Sequence, residues 1–186
     1  MVRLFFSSCR TGMVMNLYLY ENYKDVFPDA RGSALTDLLI LDALREYGVC
    51  AECVERTEKG KPYIAEHAAG RRLHISVSHS GTYFGCLLSE EDEGPLGLDI
   101  QQARNTRFEK ISSRYFTDEE QRYIEKTGRD GFFFLWVRKE AYCKYTGRGL
   151  AEILDGTSVL GRTDVDFTDF QLEKGIYCSC CRKIQI

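Results

Sequence analysis

Asp99 and Gln101 stand two residues apart in the stretch Leu-Gly-Leu-Asp-Ile-Gln that runs from Leu96 to Gln101. On a strand both side chains leave the same face, about 6.6 Å apart along the chain. They offer two hard oxygen donors, of the kind Mg²⁺ takes together with substrate phosphates and water. A strand-end Asp that is merely solvated is the plainer alternative. Further on, Lys139, Glu140 and Lys144 follow Phe132, Phe133, Trp136 and Val137. At 100° per residue these seven share one side of a helix. Surface helices normally keep charges off the apolar stripe, and a charge placed inward is costly unless it is paired or binds something. Two plainer readings stand beside a phosphate or metal site. Glu140 and Lys144 have the spacing of a helical ion pair, and long lysine stems lie along apolar surface.

Ser78-His79-Ser80 closes an alternating run; a histidine there is either a hydrogen-bonded surface residue or a phosphate donor. Eight cysteines stand at 9, 50, 53, 86, 143, 178, 180 and 181. The Cys50-x-x-Cys53 pair and the Cys178-x-Cys180-Cys181 cluster allow a zinc or redox reading. Cys178 and Cys180 also fit a buried terminal strand, since cysteine is a common small core residue. The chain has 186 residues, 44% hydrophobic and 28% charged, with net charge −3. That is an ordinary globular composition and favours neither nucleic acid nor membrane as partner. No apolar run approaches a membrane span, and the first residues lack a signal peptide's apolar region. The expected compartment is therefore the cytoplasm, with mostly reduced thiols.

The elements that must position these residues follow from periodicity. Strands are expected at 2–6, 14–20, 50–55, 73–79, 83–89 and 96–101, with a turn at 58–62, a polar loop to Arg72 and a solvated acidic loop at 90–95. Leu35, Leu38, Leu39 and Ala43 predict a helix that starts near 29–33 and ends at Gly48. Leu96, Leu98 and Ile100 should face the core and leave Asp99 and Gln101 on an open face. Beyond residue 103 come a helical turn at 108–114, a helix from Thr117, the helix 132–145, and strands near 157–160, 165–172 and 175–184. Thr117 and Glu120 fit a capping box, a role favoured over catalysis for Glu120.

In order, the chain carries Gly60-Lys61-Pro62, the Ser78-His79-Ser80 strand end, Gly97-x-Asp99, Arg114-x-Phe116-x-x-x-Glu120, and Trp136-x-x-Lys139-Glu140-Ala141-x-x-Lys144 followed by Gly147-x-Gly149-Leu150. With these motifs it resembles the 4′-phosphopantetheinyl transferases of the monomeric, two-halved class typified by the surfactin-synthetase-activating enzyme (Sfp-like). The Trp-to-Leu block is the specific one. The resemblance implies an α+β fold of two similar, pseudo-twofold halves, 1–102 and 103–186, each a helix on a small, mostly antiparallel sheet, with the active site between them. It implies a Mg²⁺-dependent enzyme of the holo-[acyl-carrier-protein] synthase type. Such an enzyme moves the phosphopantetheine arm of coenzyme A to a serine of an apo acyl or peptidyl carrier protein and releases adenosine 3′,5′-bisphosphate.

By the same resemblance Asp99, Gln101 and Glu140 would hold the metal, the first and last from different halves. Arg31, Lys61, Pro62, Ser78, His79, Lys139 and Lys144 would bind coenzyme A, and Glu140 and Lys144 would be catalytic. Many family members carry Glu where Gln101 stands, so weaker Mg²⁺ binding is expected. The chain also looks shorter than many relatives at both ends. The carrier would be a small acidic helical protein met by a locally basic or apolar surface near the end of the first half. Fatty-acid, polyketide and non-ribosomal peptide carriers all satisfy the resemblance. Rival expectations are a non-catalytic coenzyme A or carrier-binding relative and, more remotely, a cysteine-based metal or redox protein.

Overall fold

A computed structural model describes residues 1–7, 14–58, 60–65, 73–90, 94–149, 151, 154 and 156–184. Expectations for Cys9, Lys59, the loop 66–72, the acidic residues 91–93 and Leu150 lie outside these. The chain divides into two compact units, Met1–Gly94 and Pro95–Ile186. Among the described residues no helix is long and apolar enough to cross a membrane.

In the first unit, strands β1 (Val2–Ser7), β2 (Val14–Glu21), β5 (Leu73–Ser80) and β6 (Tyr83–Glu90) form an antiparallel sheet in the order β1-β2-β6-β5. Helix α1 (Gly32–Leu44) lays Leu35, Leu39, Ile40, Ala43 and Leu44 on Tyr18, Tyr20, Phe84, Cys86 and Leu88 of that sheet. Each such aliphatic side chain removed from water contributes about 1.5–3 kcal/mol. Tyr20, fully buried, spends its hydroxyl on Asp42 Oδ2 of α1 at 2.9 Å, so its polar tip is satisfied where its ring is packed. The expected strand 50–55 is instead a short 3₁₀ turn, Ala51–Cys53, leading into β3 (Val54–Arg56). The expected loop after residue 62 opens with β4 (Pro62–Ile64), which pairs with β3.

The second unit is a three-stranded antiparallel sheet in the order β7-β9-β8, from β7 (Leu96–Gln102), β8 (Val165–Glu173) and β9 (Ile176–Lys183). Helices α2 (Phe108–Tyr115) and α3 (Asp118–Thr146) complete it. The two helices expected from Thr117 and at 132–145 are one span broken at Gly128, whose φ of 67° and ψ of −147° only glycine adopts cheaply. Phe116, Phe132, Phe133, Leu135, Val137 and Ala141 form its core with Tyr177 and Cys181 of β9. The expected boundary after residue 102 is corrected to Gly94/Pro95. Strand β7 pairs with β9 along its whole length, Leu96 opposite Arg182 to Gln102 opposite Ile176. That pairing is non-local and sets no local pattern.

The face of β7 that carries Gly97, Asp99 and Gln101 is covered, not open. A Cβ on Gly97 would lie 1.8 Å from the carbonyl oxygen of Ala141 and 2.9 Å from the Tyr145 nitrogen, so the backbone of α3 rests directly on this glycine. Leu96, Leu98 and Ile100, all fully buried, take the opposite face. Gly97→Ala is therefore expected to push α3 off the strand. The cost should reach the upper part of the 1–3 kcal/mol range for overpacking, read as a lower urea midpoint at unchanged slope.

Candidate active site

Helix α3 sets two cation–carboxylate arrangements against the elements around it, and the lysines divide between them. Lys144, in its last turn, donates to Asp99 Oδ1 at 2.9 Å and to the carbonyl of Leu98 at 2.8 Å. Glu140, one turn earlier, is half-buried and makes no hydrogen bond or ion pair among the described residues. Lys144 thus turns to the strand, and the helical Glu140–Lys144 pair is not formed. Burial pushes the Glu140 carboxyl above its ordinary value, the charge of Asp99 pushes it further, and Lys144 pulls it back. Asp99 and Glu140, placed from two halves by the sequence reading, both belong to the second unit.

Gln101, two residues along β7, gives its Nε2 to its neighbour's carbonyl, Gln102 O, at 2.9 Å. Its Oε1 carries no hydrogen bond among the described residues. Two carboxylates in each other's field, one of them without a partner, and an amide oxygen on the same face fit a hard divalent cation. Such an ion would remove the repulsion that raises Glu140. Among the described residues no group of three His, Cys, Asp or Glu side chains is disposed to hold a metal. The donor set is therefore two carboxylates plus an amide, and substrate oxygens and water must supply the rest.

Asp99 continues into a polar rung across the sheet, opposite Ser179 of β9, which in turn stands opposite Asp169 of β8. The buried Ser179 hydroxyl donates to Asp169 Oδ1 at 2.8 Å, and Arg138 of α3 donates Nε to Asp169 Oδ2 at 2.6 Å. The helix is thus tied to β8 by Arg138 and to β7 by Lys144, with Glu140 between. Sequence reading missed Arg138, Asp169 and Ser179, because an in-register rung across three strands leaves no local pattern.

Lys139 is not with them. Its side chain is 0% exposed, as is Glu120, and the two pair at 2.9 Å. Its ammonium also donates to the Thr157 carbonyl at 2.5 Å and lies 5.1 Å from the centre of the Phe116 ring. Burial pulls its pKa down and Glu120 pulls it back up. Glu120 completes the capping box with Thr117, accepting from its backbone N–H at 3.0 Å, and its other oxygen takes the Val159 N–H at 2.9 Å. The assignment of Lys139 as a coenzyme A contact is therefore corrected: its donors are spent in the core. The segment 157–160, expected as a strand, is not one, because its Thr157 carbonyl and Val159 N–H bind this ion pair instead of a neighbouring strand.

In the first unit a cavity of about 630 Å³ is lined by Tyr23, Lys24, Arg31, His79 and the first residues of α1, Gly32 and Ser33 among them. His79 packs on Tyr23 at a ring separation of 5.8 Å. Arg31 occupies the N-cap position of α1 without a side-chain capping bond and donates to the carbonyls of Pro28 and Ala30. Lys24 and Arg31 at a helix N-terminus suit an anion, although Asp25 also stands in the wall. Arg31 and His79 are thus brought together, with Lys24 as an addition the motifs did not signal. Ser78 is buried on the other face of β5 from His79, and Lys61 and Pro62 sit on the β3–β4 ribbon; among the described residues none of the three lines this cavity. The β5 serines are covered, with Ser76 2% and Ser78 7% exposed.

Cys178 and Cys180 are buried in β9 as the alternation predicted, Cys181 on the other face is buried as well, and burial pushes the Cys178 and Cys181 thiols up, away from thiolate reactivity. Cys50 and Cys53 are joined as a disulfide, where thiols were expected.

Comparison with known proteins begins where the second unit begins. Residues 95–181 match the family model of the 4′-phosphopantetheinyl transferase superfamily. A 4′-phosphopantetheinyl transferase of Bacillus subtilis is 32% identical over 143 residues, 73% of this chain and 61% of the relative. The transferase Sfp of Bacillus subtilis strain 168 is 30% identical over 138 residues, 70% and 58% of the two chains. The transferase psf-1 of Bacillus pumilus is 31% identical over 130 residues, 66% and 53%. Residues 95–181 of the chain are thus similar to the 4′-phosphopantetheinyl transferase superfamily. Within it, the similarity is to the Sfp type, and the chain spans about three-fifths of the length of these relatives.

The raised Glu140 carboxyl has a consequence for stability. The folded state holds this proton to higher pH than the unfolded chain, so between the ordinary glutamate value and the raised one stability falls as pH rises. Glu140→Gln removes that slope. The variant is expected to be the more stable of the two above the raised value, and the gap should close as pH falls through the ordinary glutamate range. Urea titrations at a series of pH values, without divalent metal, measure it.

Proposed function

We propose that the chain transfers the 4′-phosphopantetheine arm of coenzyme A to a serine of an apo acyl or peptidyl carrier protein, releasing adenosine 3′,5′-bisphosphate. This is the reaction of a holo-[acyl-carrier-protein] synthase type of enzyme, working as a monomer in the cytoplasm. One observation carries the reading: a half-buried Glu140, without a side-chain partner among the described residues, stands beside Asp99, to which Lys144 of the same helix is bonded, in the stretch that matches the superfamily.

In the reaction the serine Oγ forms a bond to the phosphorus that bears pantetheine, and the bridging P–O bond breaks toward the adenosine bisphosphate. Asp99 and Glu140 would hold Mg²⁺, with Gln101 Oε1 as the third protein donor. Bound there, the ion supplies charge neutralisation for the pyrophosphate. Glu140 takes the serine proton, directly or through a water. Lys144 Nζ, anchored on Leu98 O and Asp99, sets its positive charge toward the leaving oxygen, where negative charge builds. Arg31 and His79, with Lys24, bind the outlying phosphate of coenzyme A in the first unit's cavity. Lys61 and Pro62 take the nucleotide, and Ser78 supports His79 from behind. We read the two units, each a helix on an antiparallel sheet, as related halves.

An acidic carrier suits the residues after β7. Arg104, Arg107, Lys110 and Arg114 are all exposed there, against the single acid Glu109. Incubation with coenzyme A, Mg²⁺ and an apo carrier should release adenosine 3′,5′-bisphosphate, followed by chromatography, and a chelator should stop the release. Release that is indifferent to chelation would remove the metal from this account, and no release with any of several carriers would remove the transfer.

A further inference from the structure

We infer that Cys50 and Cys53 form a thiol–disulfide exchange site, whose partners are small thiols and disulfides of the glutathione class and whose redox state sets the order of the β3–β4 ribbon. Nothing in the proposed transfer uses these residues, and the inference stands without it.

The geometry favours a reversible bond within this pair. The Cα atoms are 5.5 Å apart, inside the range a disulfide spans without moving backbone. The turn is closed independently of the sulfurs, because Cys53 N–H donates to the Cys50 carbonyl at 3.2 Å. The reduced chain therefore keeps both thiols near each other. Their surroundings differ: Cys50 is exposed, whereas Cys53 is half-buried against the core of the first unit. An incoming thiolate has access to the Cys50 sulfur, and Cys53 is the leaving thiol that the fold holds ready to reclose. Exposed bridges of this kind are the labile ones. The ring closes only two intervening residues, so it constrains the unfolded chain little and its effect is local. A zinc alternative lacks ligands, since among the described residues no third or fourth His, Cys, Asp or Glu joins the pair.

What the bridge fixes is the base of the ribbon. The Cys53 carbonyl accepts the Ala65 N–H at 2.9 Å, and Val54 stands opposite Ile64. At the far end Thr57 N–H donates to Lys61 O at 2.9 Å, closing the turn. Each ribbon strand has three residues, and a two-stranded ribbon is marginal without support. Oxidation supplies that support. The step balances: a glutathione disulfide and the two protein thiols give the protein disulfide and two glutathione thiols.

The test is a redox titration of the full chain in buffers of graded glutathione-to-glutathione-disulfide ratio. Samples are acid-quenched, alkylated with N-ethylmaleimide after unfolding, and cut with trypsin. The peptide from Glu46 to Arg56 holds both cysteines and neither of the others. It should pass from no adduct to two adducts across the series. In parallel, amide hydrogen exchange of Thr57 and Ala65, whose N–H groups donate across the ribbon, should speed up at least tenfold on reduction, and Cys53→Ser should show the fast rate in every buffer. Two adducts at every ratio, no adduct even with excess dithiothreitol, or a glutathione adduct on one cysteine alone would overturn the exchange site. Exchange rates equal in oxidised and reduced chains would overturn the link to the ribbon.

Discussion

Glu140→Gln should lower the transfer rate by at least a hundredfold while the fold stays intact, and Asp99→Asn should do the same. The glutamine keeps the volume and the hydrogen-bonding length of the side chain but removes the charge that would hold a cation and the basicity that would accept a serine proton. Loss of one preorganised electrostatic group at a reacting phosphate is worth about 10²–10³ in rate. The two variants differ in what they leave behind. Glu140 has no partner to abandon, so its loss relieves repulsion and the folded state is no weaker for it. Asp99 is bonded to Lys144 at 2.9 Å, so Asp99→Asn also loosens the anchor of the last turn of α3. Steady-state kinetics beside urea titrations separate the two effects. Near-normal rates in Glu140→Gln would remove both its metal and its base role.

Lys139→Met should cost about 3–5 kcal/mol, because it strands the Glu120 carboxylate in a fully buried site. That corresponds to a fall in Tm on the order of 10 °C. Glu120→Gln should be comparably damaging, because it leaves the Lys139 ammonium in the core without its counter-charge. The double variant Glu120→Gln/Lys139→Met should recover much of the loss, since a buried pair replaced as a unit leaves no uncompensated charge. A lysine that touched substrate phosphate would behave otherwise. Its replacement would leave Tm unchanged and raise KM for coenzyme A, and the double variant would rescue nothing.

The apolar face of α3 was legible in the sequence because Phe132, Phe133 and Val137 repeat at helical spacing, and so were the β7 and β9 alternations. The odd feature, three charges on that face, was legible too, but its resolution was not. Lys139 and Lys144 stand five residues apart on one side of the helix, yet one meets a cap residue of the same helix and the other a strand. Which lysine turns inward depends on where residues 157–159 return, and no local pattern says so. For the same reason Asp99 was expected in the first half: β7 follows β6 closely in the chain but hydrogen-bonds to β9, across the whole second unit. Gly97 was legible only as a motif letter. Its physical reason is the 1.8 Å approach of the Ala141 carbonyl to the place where a Cβ would stand. In the first unit the motifs yielded Arg31 and His79, whereas Lys24, which carries no motif, joins them only once the residues before α1 fold onto that helix's N-terminus.

The most direct measurement is the intact mass of an apo carrier protein after incubation with this chain, coenzyme A and Mg²⁺, run beside the same carrier with its acceptor serine changed to alanine. The account predicts a gain of one phosphopantetheine arm on the first carrier and none on the second. A gain on both, or on neither across several carriers while the chain binds coenzyme A, would contradict it.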